Sequence, residues 1–219
     1  MRHFCIAGPV KTDIHYVLPP LGRINLEEVM EWIDAQKYFI LHAPRQTGKT
    51  STLDALVHHL NDSGRYKALY INVEAGQAAR DDVQEGIRAI LPVLGKRALK
   101  DLGDSFLEER RAAALEKDGP GAFQSLLSDW SAQNALPICL MIDEIDALVG
   151  DTLISLLRQL RTGYKERPKE FPQSIVLCGV RDVRDYRIHG TKEIITGGSA
   201  FNVKAESLRM ADFSEERGC

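Results

Sequence analysis

"YFILHAPRQTGKTSTLDALVHHL", residues 38–60, runs from a short β-rich apolar stretch through a polar loop into a segment of helical periodicity. After Lys49, the residues Leu53, Leu56, Val57 and Leu60 recur at i, i+3, i+4 and i+7, one face of a helix. A helix that opens at Gly48-Lys49-Thr50 turns its free N-terminal N–H groups back towards the loop, where they suit an anion. The loop itself, Ala43, Pro44, Arg45, Gln46, Thr47, Gly48, Lys49, Thr50, keeps the spacing Gly-x-x-x-x-Gly-Lys-[Ser/Thr] of the Walker A pattern, with Ala43 in place of the first glycine. Pro44 restricts Ala43 to an extended backbone that L-alanine tolerates. Gly48 permits close backbone approach, Lys49 carries a cation to the outer phosphates, and the Thr50 hydroxyl suits Mg2+, with Ser51 completing the expected ATP cradle.

Outward from this stretch, apolar runs alternate with helical patterns. "ALYINVE" (68–74), "PICLMIDEID" (137–146) and "SIVLCGVRD" (174–182) read as buried strands, and "AFNVKAESL" (200–208) as a weaker fifth. Their apolarity is continuous rather than alternating, which implies burial on both faces, as in a parallel sheet covered by helices. "DSGRY" ends the first helix, with Gly64 at the expected cap. A helix is expected from Ala78 to Leu91 with Pro92 as its stop, followed by a charged stretch at 96–117, a "DGPG" break at 118–121 and a helix over "AFQSLLSDWSAQ". Strands separated by helices call for right-handed βαβ units and an α/β fold.

Bulk composition narrows the class. A chain of 219 residues with 44% hydrophobic and 27% charged residues suits one substantial globular domain with an adequate core. The formal charge of -3 argues against a surface built as a whole for phosphate backbones, so nucleic acid is not indicated. Cys5, Cys139, Cys178 and Cys219 form no CxxC pair and read as small buried hydrophobes in a reducing compartment. No stretch approaches the roughly 20 apolar residues of a membrane span, and the N-terminus lacks an apolar signal core, so a cytoplasmic protein is expected. His58 and His59, about 100° apart on a helix, do not converge on one metal. The run "RQLRTGYKERPKE" (158–170), basic but interleaved with acids, reads as a solvated helix end and loop.

The other half of a nucleotide site is an acid at the end of a second buried strand, and "CLMIDE" supplies two. Asp143 suits hydrated magnesium, and Glu144 suits polarisation of the attacking water. Neighbouring residues on a strand point opposite ways, which makes two roles natural, and open α/β sheets bind ligands at the carboxyl ends of their strands. Either Asp143 or Asp146 could instead cap the following turn.

"YFILHAPRQTGKTS" together with "ICLMIDEID" closely resembles the AAA-like ATPases of bacteria, in the AAA and signal-transduction class of P-loop ATPases. That resemblance implies a three-layer αβα P-loop NTPase fold with a mainly parallel five-stranded sheet in the order 5-1-4-3-2. It implies an N-terminal segment (1–37) in which "PPLGRINLEEVMEWI" contributes Gly-Arg and a helix to the adenine pocket, and a core at 38–213 with a helical insertion at about 92–135. Residues 214–219, with Ser214 as a helix cap, match the start of a small helical lid. Asn72 stands where the class often restrains its catalytic Glu, though it could equally cap a turn. Arg181, Arg184 and Arg187 follow the fourth strand, where a sensor or arginine finger arises, and each could equally pair with Asp182 or Asp185. The function implied is Mg-dependent ATP hydrolysis that drives or switches a protein partner or homo-oligomer, with Glu144 and Lys49 catalytic and Thr50 and Asp143 at the metal. A nucleotide-responsive scaffold and a P-loop small-molecule kinase are the alternatives.

Overall fold

The computed structural model describes residues 3, 14, 18–182, 187–189, 194–196, 201–202 and 206–211. A 3-10 turn at Pro20–Arg23 leads into helix α1 (Leu26–Asp34), which Asn25 caps by accepting the Glu28 N–H. Strand β1 (Phe39–His42), helix α2 (Lys49–Asp62) and strand β2 (Lys67–Asn72) follow. Three helices, α3 (Val83–Leu102), α4 (Phe106–Asp118) and α5 (Ala122–Gln133), then precede strand β3 (Ile138–Asp143). Helix α6 (Gly150–Thr162) and strand β4 (Ser174–Gly179) come next. Two short strands, β5 (Arg187–His189) and β6 (Ile194–Thr196), pair as an antiparallel hairpin, and β7 (Glu206–Arg209) is the last.

The main sheet is parallel, in the order β2-β3-β4-β1-β7. Read from the other edge, with β7 as the fifth strand, this is the expected 5-1-4-3-2 arrangement. Alternate strand residues feed two cores. Ile40, Leu69, Ile71, Leu140, Ile142, Ile175 and Leu177 pack with α3, α5 and α6, whereas Phe39, Leu41, Ala68, Tyr70, Cys139, Met141, Val176 and Cys178 pack with α1 and α2. Both faces being apolar is why the strands read as unbroken apolar runs. Cys139 and Cys178 are buried free thiols, as their apolar surroundings imply, and His58 and His59 are exposed. Among the described residues, no helix is long and apolar enough to cross a membrane.

Pro92 does not end a helix. It lies in the middle of α3, which continues to Leu102. An interior proline costs about 3 kcal/mol through its missing N–H and ring clash. Ile87, Ile90, Leu91 and Leu94 flank it fully buried, each worth about 1.5–3 kcal/mol, so packing overrides the local break. The expected start of α3 at Ala78 also moves: residues Glu74–Ala79 form a 3-10 turn, and Asp82 caps the helix proper by accepting the Glu85 N–H at 3.0 Å. Trp130 of α5, fully buried, donates its Nε1–H to Asp104 at 2.8 Å, and Lys67 of β2 reaches the same oxygen at 2.7 Å, which ties the three helices to the sheet edge.

Where a fifth strand is expected from residue 200, Phe201 lies in a turn, buried and stacked on Tyr38 with centroids 6.3 Å apart, and among the described residues pairing with β1 runs from Glu206 to Arg209.

Helix α3 meets α6 at Gly86, where an added Cβ would stand 2.4 Å from the methyl of the buried Thr152. Alanine gains about 1 kcal/mol over glycine in an open helix, but overpacking costs about 1–3 kcal/mol, so the contact decides the sign. Gly86→Ala lowers the urea midpoint at unchanged m-value; a raised midpoint would show that α3 and α6 separate freely.

Candidate functional site

The carboxyl ends of β1, β3 and β4 meet at one edge, and the loop between β1 and α2 lies across them. Ala43 is buried, and its N–H donates to the Gly179 carbonyl at 3.3 Å, extending the β1–β4 ladder by one step. Its methyl group is accommodated where the motif usually has glycine. Pro44, Arg45 and Gln46 are exposed, and Thr47 Oγ1 donates to the Pro44 carbonyl at 2.7 Å, closing the loop on itself. Gln46 (φ 59°) and Gly48 (φ 84°) take left-handed backbone, the kind of turn that converges successive N–H groups on a concavity. Glycine is favoured at 48 by its positive φ, which L side chains rarely adopt.

Lys49 is 7% exposed, and its ammonium donates to the carbonyls of Ala43 (3.1 Å) and Pro44 (3.0 Å), so the cation is held under the loop rather than in solvent. At the second residue of α2, Thr50 Oγ1 donates to Asp143 Oδ2 at 2.8 Å, and Ser51 is half-buried beside it in sequence. Asp143, the last residue of β3, is fully buried. Two further donors reach it: the Tyr70 hydroxyl to Oδ2 at 3.0 Å and the Glu144 N–H to Oδ1 at 2.9 Å.

Glu144 departs from simple strand alternation. It has left the strand in left-handed backbone (φ 56°, ψ 39°) at the head of a 3-10 turn, Ile145–Ala147. Burial first, then the carboxylates of Asp143 and Asp146, lift its carboxyl above the ordinary range, against an opposing pull from Lys49. Asp146 Oδ1 accepts the Val180 N–H at 3.2 Å and thereby secures the end of β4. Burial, followed by the nearby Asp143 charge, raises the Cys178 thiol well beyond its usual range and keeps it protonated.

The outlying residues are distributed unevenly. Asn72 Oδ1 accepts the Glu74 N–H at 2.8 Å, the turn cap that was one of its two readings. Arg181 is exposed just past β4. Arg187 begins β5, in register with Thr196, while Arg184 and Ser214 lie outside the described residues.

On the β7 side of the loop, a cavity of about 570 Å3 is lined by Arg23, Ala43, Pro44, Thr47, Met210 and Ala211. Its wall is pinned by main-chain and side-chain bonds together. Arg23 Nε donates to the Ala211 carbonyl at 2.8 Å, the Ala211 N–H returns to the Arg23 carbonyl at 3.0 Å, and the Met210 N–H reaches His42 at 3.1 Å. Arg23, from the Gly-Arg segment that the family resemblance assigns to an adenine pocket, lines this cavity, whereas Met210 and Ala211 carry no local signal in the sequence. A second cavity of about 440 Å3, between α3 and α4, contains none of the expected site residues.

A family model described as an AAA domain matches residues 33–186. Among solved structures, Cdc6p from Pyrobaculum aerophilum is similar, with a TM-score of 0.51, 20% identity, and coverage of 86% of this chain and 44% of that one. The Drosophila ORC structure bound to poly(dA/dT) DNA and Cdc6 gives a TM-score of 0.51 at 11% identity, covering 88% of this chain and 29% of that one. At these identities the likeness is one of fold, and the chain spans less than half the length of either structure's chain. No curated protein matches the sequence.

Proposed function

The chain belongs to the AAA domain family of nucleotide-binding ATPases, and from that premise we propose that it binds ATP with Mg2+ and hydrolyses it to drive or switch a protein partner. The observation that carries this reading is the meeting of the loop and the acid: Thr50 bonded to the buried Asp143 at 2.8 Å, with the Lys49 ammonium held beneath the same loop. The donor set fits the ion. A hydroxyl and one carboxylate are hard oxygen ligands of the kind magnesium takes beside waters and phosphates. The loop also fits the nucleotide, since its left-handed turns at Gln46 and Gly48 leave a concavity free of side-chain bulk at 48.

In this reading residues 43–51 form the phosphate cradle, its backbone N–H groups supplied from Arg45 onward because Pro44 has none and the Ala43 N–H is bonded to Gly179, and Lys49 moves from carbonyl partners to phosphate oxygens. Thr50 would hold the metal, with Asp143 holding it through water. The chemistry magnesium would supply there is neutralisation of the negative charge that builds up on the phosphates. Glu144 orients water and accepts its proton, a role suited by its raised affinity for protons. Water activation of this kind distinguishes the reading from a kinase. The cavity beside Arg23 and Ala211 takes the base.

Phosphoryl transfer also needs positive charge against the γ-phosphate, and an arginine finger supplied in trans is worth about 10³ to 10⁵ in rate. In this reading a finger among Arg181, Arg184 and Arg187 acts on a neighbouring molecule, a role that the exposure of Arg181 past β4 is compatible with. An equilibrium ATP titration beside steady-state hydrolysis over a protein dilution series tests the proposal. Binding with slow turnover that rises with protein concentration is the expected result. No ATP binding would reject the assignment, and rapid turnover per chain that does not change on dilution would reject the need for a partner.

A further inference from the structure

The ring of Tyr70 stands between the expected metal carboxylate and the helical layer. Tyr70 is 7% exposed on β2, and its hydroxyl donates to Asp143 Oδ2 at 3.0 Å, the oxygen that also accepts from Thr50 at 2.8 Å. A buried phenol needs a partner, and a nearby backbone carbonyl would satisfy it. Here the partner is instead the most buried carboxylate among the described residues. The terminal torsion of an aspartate is broad and roughly two-fold, so the plane of its oxygens is set by what donates to them. With two donors on Oδ2 and the Glu144 N–H on Oδ1, the plane of Asp143 is fixed from three sides.

Tyr70 is itself held. The Arg97 guanidinium of α3 lies over its ring, 5.1 Å from the centroid, and pairs with Asp101 of α3 at 2.5 Å and with Asp54 of α2 at 3.6 Å. Asp54 sits one turn beyond Thr50. A single guanidinium therefore joins α3, the helix that bears the metal hydroxyl, and the ring that orients the metal carboxylate.

We propose that Tyr70 is a positioning residue for the magnesium site, acting through Asp143, and that Arg97 makes helix α3 part of that site by clamping the Tyr70 ring. The inference rests on the assignment of Asp143 to magnesium. Partners bonded to a direct metal ligand commonly alter metal affinity by about 10- to 100-fold when removed, and because Asp143 would act through water the effect of Tyr70 falls at the lower end of that range.

Tyr70→Phe keeps the ring and its stacking and removes only the hydroxyl. The melting temperature is followed in saturating ATP as Mg2+ is titrated, with a parallel ATP titration in EDTA. The expected result is a rise of about 10-fold in the Mg2+ concentration for half-maximal stabilisation, with metal-free ATP affinity unchanged. Arg97→Met, which keeps length and loses charge, shifts the same midpoint in the same direction by a smaller factor. A lower melting temperature with an unmoved Mg2+ midpoint would make Tyr70 purely structural and overturn the proposal. A shift in Tyr70→Phe with none in Arg97→Met would overturn the part assigned to α3. If the parent protein shows no Mg2+-dependent response to ATP, the site assignment itself fails, and the role of Tyr70 with it.

Discussion

Lys49→Ala abolishes the stabilisation of this protein by ATP and Mg2+ while leaving a folded chain. A ligand present at 100 times its dissociation constant adds about 2.7 kcal/mol, which for a chain of this size raises the melting temperature by roughly 5–10 °C. That shift is the expected response of the parent protein. In the variant the phosphates lose the buried ammonium held beneath the loop, and the backbone N–H groups do not replace a charge-assisted bond. The substitution also leaves the carbonyls of Ala43 and Pro44 without their ammonium donor, so the unliganded variant melts somewhat lower, by about 1 kcal/mol of stability. The decisive quantity is therefore the ATP-induced shift, measured by differential scanning fluorimetry for each protein against its own unliganded baseline. A variant that responds as strongly as the parent would show that the 43–50 loop does not hold the phosphates.

Glu144→Gln separates binding from chemistry. Glutamine keeps the size of the side chain and tolerates the left-handed backbone about as well as glutamate, so the turn at Ile145–Ala147 persists. What is lost is a group able to accept a proton from water, and general base catalysis is worth about 10² to 10⁴ in rate. Single-turnover hydrolysis falls by that factor, and the dissociation constant for ATP changes little, the pattern of an interaction made mainly in the transition state. Equal hydrolysis by variant and parent would remove Glu144 from the chemistry. Unchanged hydrolysis together with weaker ATP binding would make it a ligand residue instead.

The fold was legible largely because its signals are local. The run of Phe39 to His42, the loop to Thr50 and the 3.6-residue periodicity beyond it are contiguous, so strand, turn and helix could be read from one stretch. The apolar runs at 138–143 and 174–179 carried their own burial in the same way. The same reliance on local rules misread Pro92, whose penalty is outweighed by side chains of α3 packed against the sheet and the other helices. It also left the β5–β6 hairpin unread, three residues a side being too short for a period to register. The residues expected at the site were nameable because their pattern is sequential, from Ala43 to Ser51 and again at Asp143 and Glu144.

What no local pattern contains is the pairing of distant residues. Nothing in "ALYINVE" marks Tyr70 off from the apolar residues around it; its hydroxyl meets Asp143, 73 positions away, because parallel register sets Tyr70 opposite Met141 and Asn72 opposite Asp143. Arg23 meets Ala211 across 188 positions for the same kind of reason, since β7 lies beside β1 and delivers its following residues to the N-terminal turn. By itself the sequence determined the elements, the layer architecture and the candidate residues of the loop and the acid pair, because propensity, periodicity and motif spacing act over a few residues at a time. Only the tertiary structure decided the direction in which Glu144 leaves the strand, what secures Asp143, and which segments wall the cavity, because those depend on sheet register and helix packing that bring distant parts of the chain into contact.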